Sequence, residues 1–136
     1  MDSLRMVPAD FFAELVPNGR IEMAMLLKRN GRMLAAWARS PVAWEVVSIM
    51  AATTLGSLET MLETIHAPSP EMVGIVACGN RIHVQKVDPQ GMLVLVAKDV
   101  VTEAYLRDTA RRLLAKLPLA AKNDLPRRVT LGPNFR

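Results

Sequence analysis

One cysteine, two histidines, three Phe, two Trp and one Tyr leave this 136-residue chain little of the material from which catalytic and metal sites are built. The lone Cys78 excludes an internal disulfide framework and fits a reducing, cytoplasmic setting. No apolar run approaches the ~20 residues that a membrane-spanning helix needs. The N-terminal stretch MDSLRMVPADFF has mixed charge and no apolar core ending in small residues, so no secretory signal is expected there. A phosphate-binding P-loop, a dinucleotide Gly-x-Gly-x-x-Gly, a His-Glu-x-x-His pair and a nucleophile elbow are all absent. The expectation is a cytoplasmic chain with no membrane span, no cofactor, no metal and no catalytic residue.

The net charge of +4 suggests nucleic acid until it is divided along the chain. Residues 1–117 carry only +1, whereas residues 118–136 carry +3. A face that tracks phosphates needs clustered cations on an ordered surface with aromatics for stacking, and the body offers neither. The chain therefore reads as one domain, 1–117, followed by a basic and flexible tail, 118–136, in which Lys122, Arg127 and Arg128 are solvated charge.

Turn chemistry organises the middle of the chain. Asn30-Gly31 separates IEMAMLLK from MLAAWA, and Asn-Gly is a strong two-residue hairpin signal because both positions tolerate positive φ. Gly79-Asn80 supplies a type II′ turn between EMVGIVA and RIHVQKV, which sets Ala77 opposite Ile82 and Ile75 opposite Val84. Ala77, Ile75, Ile82 and Val84 then share an apolar face, with Cys78, Arg81, His83 and Gln85 on the other. Asp88, Pro89 and Gly91 fit a type I turn into MLVLVAK. That fifth strand is apolar on both faces and belongs at the centre of a sheet covered on both sides.

Three helical segments supply the cover. Ala9–Val16 is short and amphipathic. The longest segment, Val42–Ile65, follows Ser40-Pro41, a cap residue and a first-turn proline. Its core stripe is Val47, Ala51, Leu55, Leu58, Leu62 and Ile65. Within it AATTLGS, residues 51–57, is almost entirely small, which fits either a second backbone passing close by or a small-residue face laid on the sheet. Val101–Leu117 places Leu106, Ala110, Leu113 and Leu117 on one side. Met23, Met25, Met33, Met50 and Met61 fall on core positions, and His66 at the end of the long helix reads as a cationic partner of the helix dipole.

The order helix, two strands, long helix, three strands, helix, together with the Asn30-Gly31 hairpin, the small-residue long helix and GMLVLVAK, resembles the Roadblock dynein light-chain family over about residues 9–117. The resemblance implies an α+β sandwich. A central five-stranded antiparallel sheet would carry the long helix on one face and the terminal helices on the other. It also implies a homodimer in which third strands pair into one continuous sheet and long helices pack together. The function it implies is a non-catalytic platform for a small Ras-like GTPase, either activating hydrolysis or acting as a scaffold, with the GTPase on the side of the paired helices.

The residues agree with that implication. Strand three carries no charge between Glu71 and Arg81, whereas the second strand at the other edge has Arg32, Arg39 and nearby Pro41 as guards against unwanted pairing. The expected dimer interface is Met72, Val73, Gly74, Ile75, Val76, Ala77 and Cys78, with Ala52, Thr53, Gly56 and Thr60 of the long helix. Trp37, Arg39, Trp44, Glu45 and Ser48 cluster at the strand-two to helix junction, either as partner anchors or with the two Trp capping the core. Cys78 and His83 fall diagonally on one face; without an acidic orienter they read as a small buried hydrophobe and a strand residue rather than as a nucleophile and its base. Two other classes are weighed. A small-ligand sensor needs an enclosed pocket, while these sheet faces read as filled. A nucleic-acid adaptor has to work through the tail.

Overall fold

A computed structural model describes residues 7, 9–88 and 91–117. Chain order is α1 (Leu15–Asn18), β1 (Ile21–Lys28), β2 (Met33–Ala38), α2 (Trp44–Thr64), β3 (Met72–Ala77), β4 (Asn80–Asp88), β5 (Gly91–Lys98) and α3 (Glu103–Leu114). The strands form one antiparallel sheet in the order β2-β1-β5-β4-β3. The doubly apolar β5 is central, and β2 and β3 are the edges. The expected tail, 118–136, and the turn residues Pro89 and Gln90 lie outside the described residues.

Each sheet face has its own core. Ile21, Ala24, Leu26, Leu93, Leu95 and Ala97 pack against Phe11, Phe12 and Leu15 of the N-terminal segment and Leu106, Ala110 and Leu113 of α3. On the other face Met25, Leu27, Val84, Met92 and Val94 surround Leu55 of α2, with Val47, Ala51 and Ala52 beside it. Alternation along each strand produces the two sets, since successive side chains point to opposite faces.

The local chemistry departs from expectation at several ends. Residues 9–14 form turns whose bonds run from Ala13 N to Asp10 O and from Leu15 N to Phe12 O, three residues back, so only Leu15–Asn18 is helical. Eight residues between Pro8 and Pro17 are too few to nucleate a longer helix in a sequence bracketed by prolines. Helix α2 starts at Trp44 with Ala43 as its uncapped N-cap, so Ser40-Pro41 does not open it. It closes with His66 at φ 61, His66 N bonding to Glu63 O (3.0 Å) and Ala67 N to Leu62 O (2.9 Å). That left-handed closure gives His66 a backbone role. Helix α3 opens on Thr102, whose hydroxyl accepts from Tyr105 N at 3.1 Å.

The hairpins shift as well. The β1–β2 connection has Gly31 alone at positive φ (93°), Gly31 N bonding to Lys28 O (2.9 Å) and Lys28 N to Arg32 O (2.8 Å). This is a turn followed by a left-handed glycine, and the Asn30 side chain accepts from Arg32 N at 2.9 Å. In the β3–β4 hairpin the two turn residues are Cys78 (φ 54) and Gly79 (φ 80), the mirror-turn combination. The register is therefore Ala77↔Asn80, Ile75↔Ile82 and Val73↔Val84, two residues from the expected pairing. Because strand faces repeat every two residues, Val73, Ile82 and Val84 still reach the α2 side.

Candidate functional site

Two uncovered surfaces stand out. The first is the outer edge of β3, which pairs only with β4 among the described residues. Lys86 N bonds to Glu71 O at 3.0 Å, which makes Glu71 and Lys86 a hydrogen-bonded pair. Hydrogen-bonded pairs alternate along an antiparallel ladder, so Val73 and Ile75 direct their backbone groups at β4, while Met72, Gly74 and Val76 direct theirs outward. Val76 is 57% exposed and Met72 is exposed too, both on the α3 side of the sheet. The second surface is the outward row of α2. Val46, Ile49, Met50 and Met61 are each more than half exposed there, with Thr53, Ser57 and Thr60 between them.

Most of the expected interface residues reach these surfaces. Met72–Ala77 is the edge strand itself, and Thr53, Gly56 and Thr60 lie on α2, where a Cβ added at Gly56 meets nothing within 4 Å. Two residues do not fit. Ala52 packs on the sheet beside Leu55, and Cys78 sits exposed in the turn beyond the strand, because the tight mirror turn uses it as its first residue. The same turn undoes the Cys78–His83 pairing and the buried reading of Cys78: His83 is fully buried opposite Gly74. Met50, Met61 and Ile65 are exposed rather than core.

The expected partner cluster is divided by the sheet. Trp37 packs on the α1 and α3 side, with the Arg39 guanidinium 4.9 Å from its ring centroid. Arg39 is held by structure, since its Nε donates to Ile21 O and a terminal nitrogen to Leu15 O, both at 2.9 Å. Trp44 and Glu45 lie on the other side, in an apolar cleft of about 530 Å³ with Met33, Ala36 and Ile49. Ser48 is 5% exposed and its hydroxyl donates to Glu45 O at 3.4 Å, which takes it off the outer surface. Val46 and Ile49, which sequence reasoning passed over, and Met50, which it assigned to the core, were readable as a second row at helical spacing opposite the core stripe.

Two charged networks brace the sheet. Glu59 of α2 accepts from Arg29 at the β1–β2 turn, from Lys86 of β4 (2.6 Å) and from Ser69 of the α2–β3 linker (3.0 Å). Burial opposes ionisation of Glu59, but the Lys86 and Ser69 hydrogen bonds and the nearby cations outweigh it and hold its carboxyl below the ordinary range. On the opposite face Arg81 of β4 donates to Val101 O at 2.8 Å and lies 3.8 Å from the Glu103 carboxylate. Among the described residues no three His, Cys, Asp or Glu side chains of one chain converge as metal ligands, and no helix is long and apolar enough to cross a membrane.

No protein-family profile matches the chain, and no curated protein matches it. Solved structures share its fold at low identity. An MglB described with a tetrameric arrangement is 17% identical with a TM-score of 0.70, over 85% of this chain and 88% of that one. Gliding protein MglB from Thermus thermophilus is 16% identical with a TM-score of 0.68, over 88% and 87%. A Roadblock/LC7 domain from Streptomyces avermitilis is 14% identical with a TM-score of 0.69, over 79% and 92%. The fold is thus of the Roadblock type, α+β with a five-stranded antiparallel sheet.

Proposed function

We propose that the chain works as a non-catalytic homodimer that binds and regulates a small Ras-like GTPase. The observation that carries the dimer is the outward-directed backbone of Met72, Gly74 and Val76 on an uncharged edge. Unpaired strand edges recruit further strands, and a second copy of β3 satisfies this one. Antiparallel pairing about a two-fold axis through Gly74 sets Met72 opposite Val76 of the second copy and uses all three outward residues. Sheet faces are preserved, so the two α2 helices lie on the same side.

The resemblance to Roadblock proteins and the fold shared with MglB support a GTPase on that side. The exposed row Val46, Ile49 and Met50, with the Trp44–Glu45 cleft beside it, supplies an apolar contact surface that a monomer has no reason to leave uncovered. Trp37 and Arg39, on the far side and tied to α1, are assigned to the fold. Titration calorimetry tests the reading, with Ras-like GTPases from the same genome loaded with GDP or a nonhydrolysable GTP analogue. Ile49→Asp should weaken binding at least tenfold, about 1.4 kcal/mol. Absence of binding in both nucleotide states, or hydrolysis by the isolated chain, would overturn it.

A further inference from the structure

The β2 edge of the sheet is flanked but not paired. Among the described residues β2 bonds only to β1. Arg39 N bonds to Glu22 O at 3.0 Å, which makes Glu22 and Arg39 a hydrogen-bonded pair. Alternation then has Trp37 and Ala35 directing their backbone groups at β1, while Ala36 and Ala38 direct theirs outward. Met33–Ala38 carries no charge, and the Arg39 side chain, expected to guard this edge, is spent on the carbonyls of Ile21 and Leu15. An uncharged edge of this kind recruits a further strand.

An apolar cleft runs along the same edge. It measures about 470 Å³ and is lined by Phe11, Phe12 and Val16 on one side and by Leu34 and Trp37 of β2 on the other. Val16 is more than half exposed there, and the rim carries the exposed Asp10 carboxylate.

The C-terminal tail departs from the fold beside this cleft. Leu117 is buried with Phe11 and Phe12, and Lys116 Nζ donates to Phe11 O at 2.9 Å. Phe11 is thus both the point of departure and a wall of the cleft, and the nine residues 118–126 span up to ~30 Å when extended. Residues 127–131 then read RRVTL between Pro126 and Gly132-Pro133, an alternating run closed at both ends by strand breakers. Positions 127, 129 and 131 share one face of a strand, which groups Val129 and Leu131 for the cleft and Arg127 for Asp10. The tail's charge of +3 suits that acidic rim.

We propose that residues 127–131 add to the outer edge of β2 as a sixth strand, with Val129 and Leu131 filling the cleft of the same chain. The tail is then the cover of the second sheet edge rather than solvated charge. This inference depends neither on the β3 dimer nor on the GTPase.

The test uses the full chain with Cys78→Ser and Asn134→Cys, the new thiol carrying a nitroxide. Expected are amide resonances of residues 34–37 broadened by the label and those of β3, at the far edge, unaffected. In the unlabelled chain, hydrogen exchange at Ala36 N–H should be at least tenfold slower than in the double variant Val129→Asp, Leu131→Asp, which also abolishes the broadening. Ala36→Pro serves as a second variant: this N–H makes no bond to β1, so the proline spares the β1–β2 ladder while blocking the sixth strand, and the broadening should vanish from a folded chain. Absence of broadening, or equal exchange at Ala36 with and without the two Asp substitutions, overturns the docking, whether the cleft is then open, filled by residues 1–6 or covered by a second copy. Broadening that survives Ala36→Pro overturns the strand pairing. Broadening seen when the nitroxide and the isotope enrichment are on separate chains puts another copy's tail in the cleft and overturns the same-chain assignment.

Discussion

Arg39, just past the end of β2, donates a hydrogen bond to the carbonyl of Leu15 at 2.9 Å and thereby ties the second strand to the first helix across 24 residues. Its Nε closes a second bond to Ile21 O at the same length, and Trp37 stacks beneath the guanidinium. Charge-assisted bonds to main-chain carbonyls left orphaned at a helix end are worth more than exposed ion pairs. Arg39→Met should lower stability by about 2 to 3 kcal/mol in urea unfolding while leaving the affinity of the folded dimer for its GTPase within a factor of ~3. A stable variant with lost binding would instead place Arg39 in the partner surface.

Proline scanning along β3 distinguishes the two edges of that strand. At Val76 the backbone N–H points outward, so Val76→Pro removes no bond to β4 and should fold, yet weaken the dimer by at least tenfold, about 1.4 kcal/mol. At Ile75 the N–H serves the β3–β4 ladder, and Ile75→Pro should cost roughly 3 kcal/mol of fold stability. Circular dichroism and sedimentation equilibrium separate the outcomes. A folded, fully dimeric Val76→Pro chain removes β3 from the interface.

Gly56 stands in open space on α2, with nothing within 4 Å of an added Cβ. In an isolated subunit Gly56→Leu is therefore stabilising, by about 1 kcal/mol, since glycine is a poor mid-helix residue. If a second α2 lies against it, the added volume should weaken association by ~1 to 3 kcal/mol. Opposite signs in the thermal melt and the dimer constant are the expected signature. A higher melting temperature with unchanged association shows that the helices do not meet at Gly56.

Glu59 gives the fold an acid limit. Its carboxyl is held below the ordinary range, so the stability it contributes is present above the unfolded-state value of 4.5 and is lost as pH falls through the lower folded value. Glu59→Gln should cost about 1 to 2 kcal/mol at neutral pH, because Arg29, Lys86 and Ser69 lose a common acceptor charge. The gap between wild type and variant in urea unfolding should close as pH falls below that value. A constant gap across pH would show that packing rather than charge is responsible.

Element order, the central position of β5 and the two helix-covered faces were legible because they follow from hydrophobic period and from turn residues. What was not legible has physical causes. Cys78 takes a left-handed conformation that propensity reserves for Gly and Asn, so the β3–β4 turn reads one residue late and the pairing shifts by two, although the sheet faces survive the error. Met50 and Met61 are as apolar as Leu55, and periodicity alone cannot separate a stripe laid on the sheet from one turned away from it. Trp37 and Trp44 are close in sequence but fall on opposite sides of the sheet, because the intervening chain turns the corner from β2 to α2. The Glu103–Gly74 contact joins residues remote in sequence and has no local signature.

The two ends of the sheet differ in what lies beside them, and in the proposed dimer that difference sets how many copies can add. Just past β2 Arg39 is folded back onto α1, and the N-terminal segment lines with Leu34–Trp37 an open cleft of about 470 Å³ beside the strand. At β3 nothing intervenes among the described residues. A subunit with two open ends is divalent and polymerises into fibrils, whereas one with a single open end is monovalent and each addition terminates growth. In the proposed dimer the β2 corner would act as a chain stopper, and loosening it by mutation should turn a closed pair into an open-ended filament.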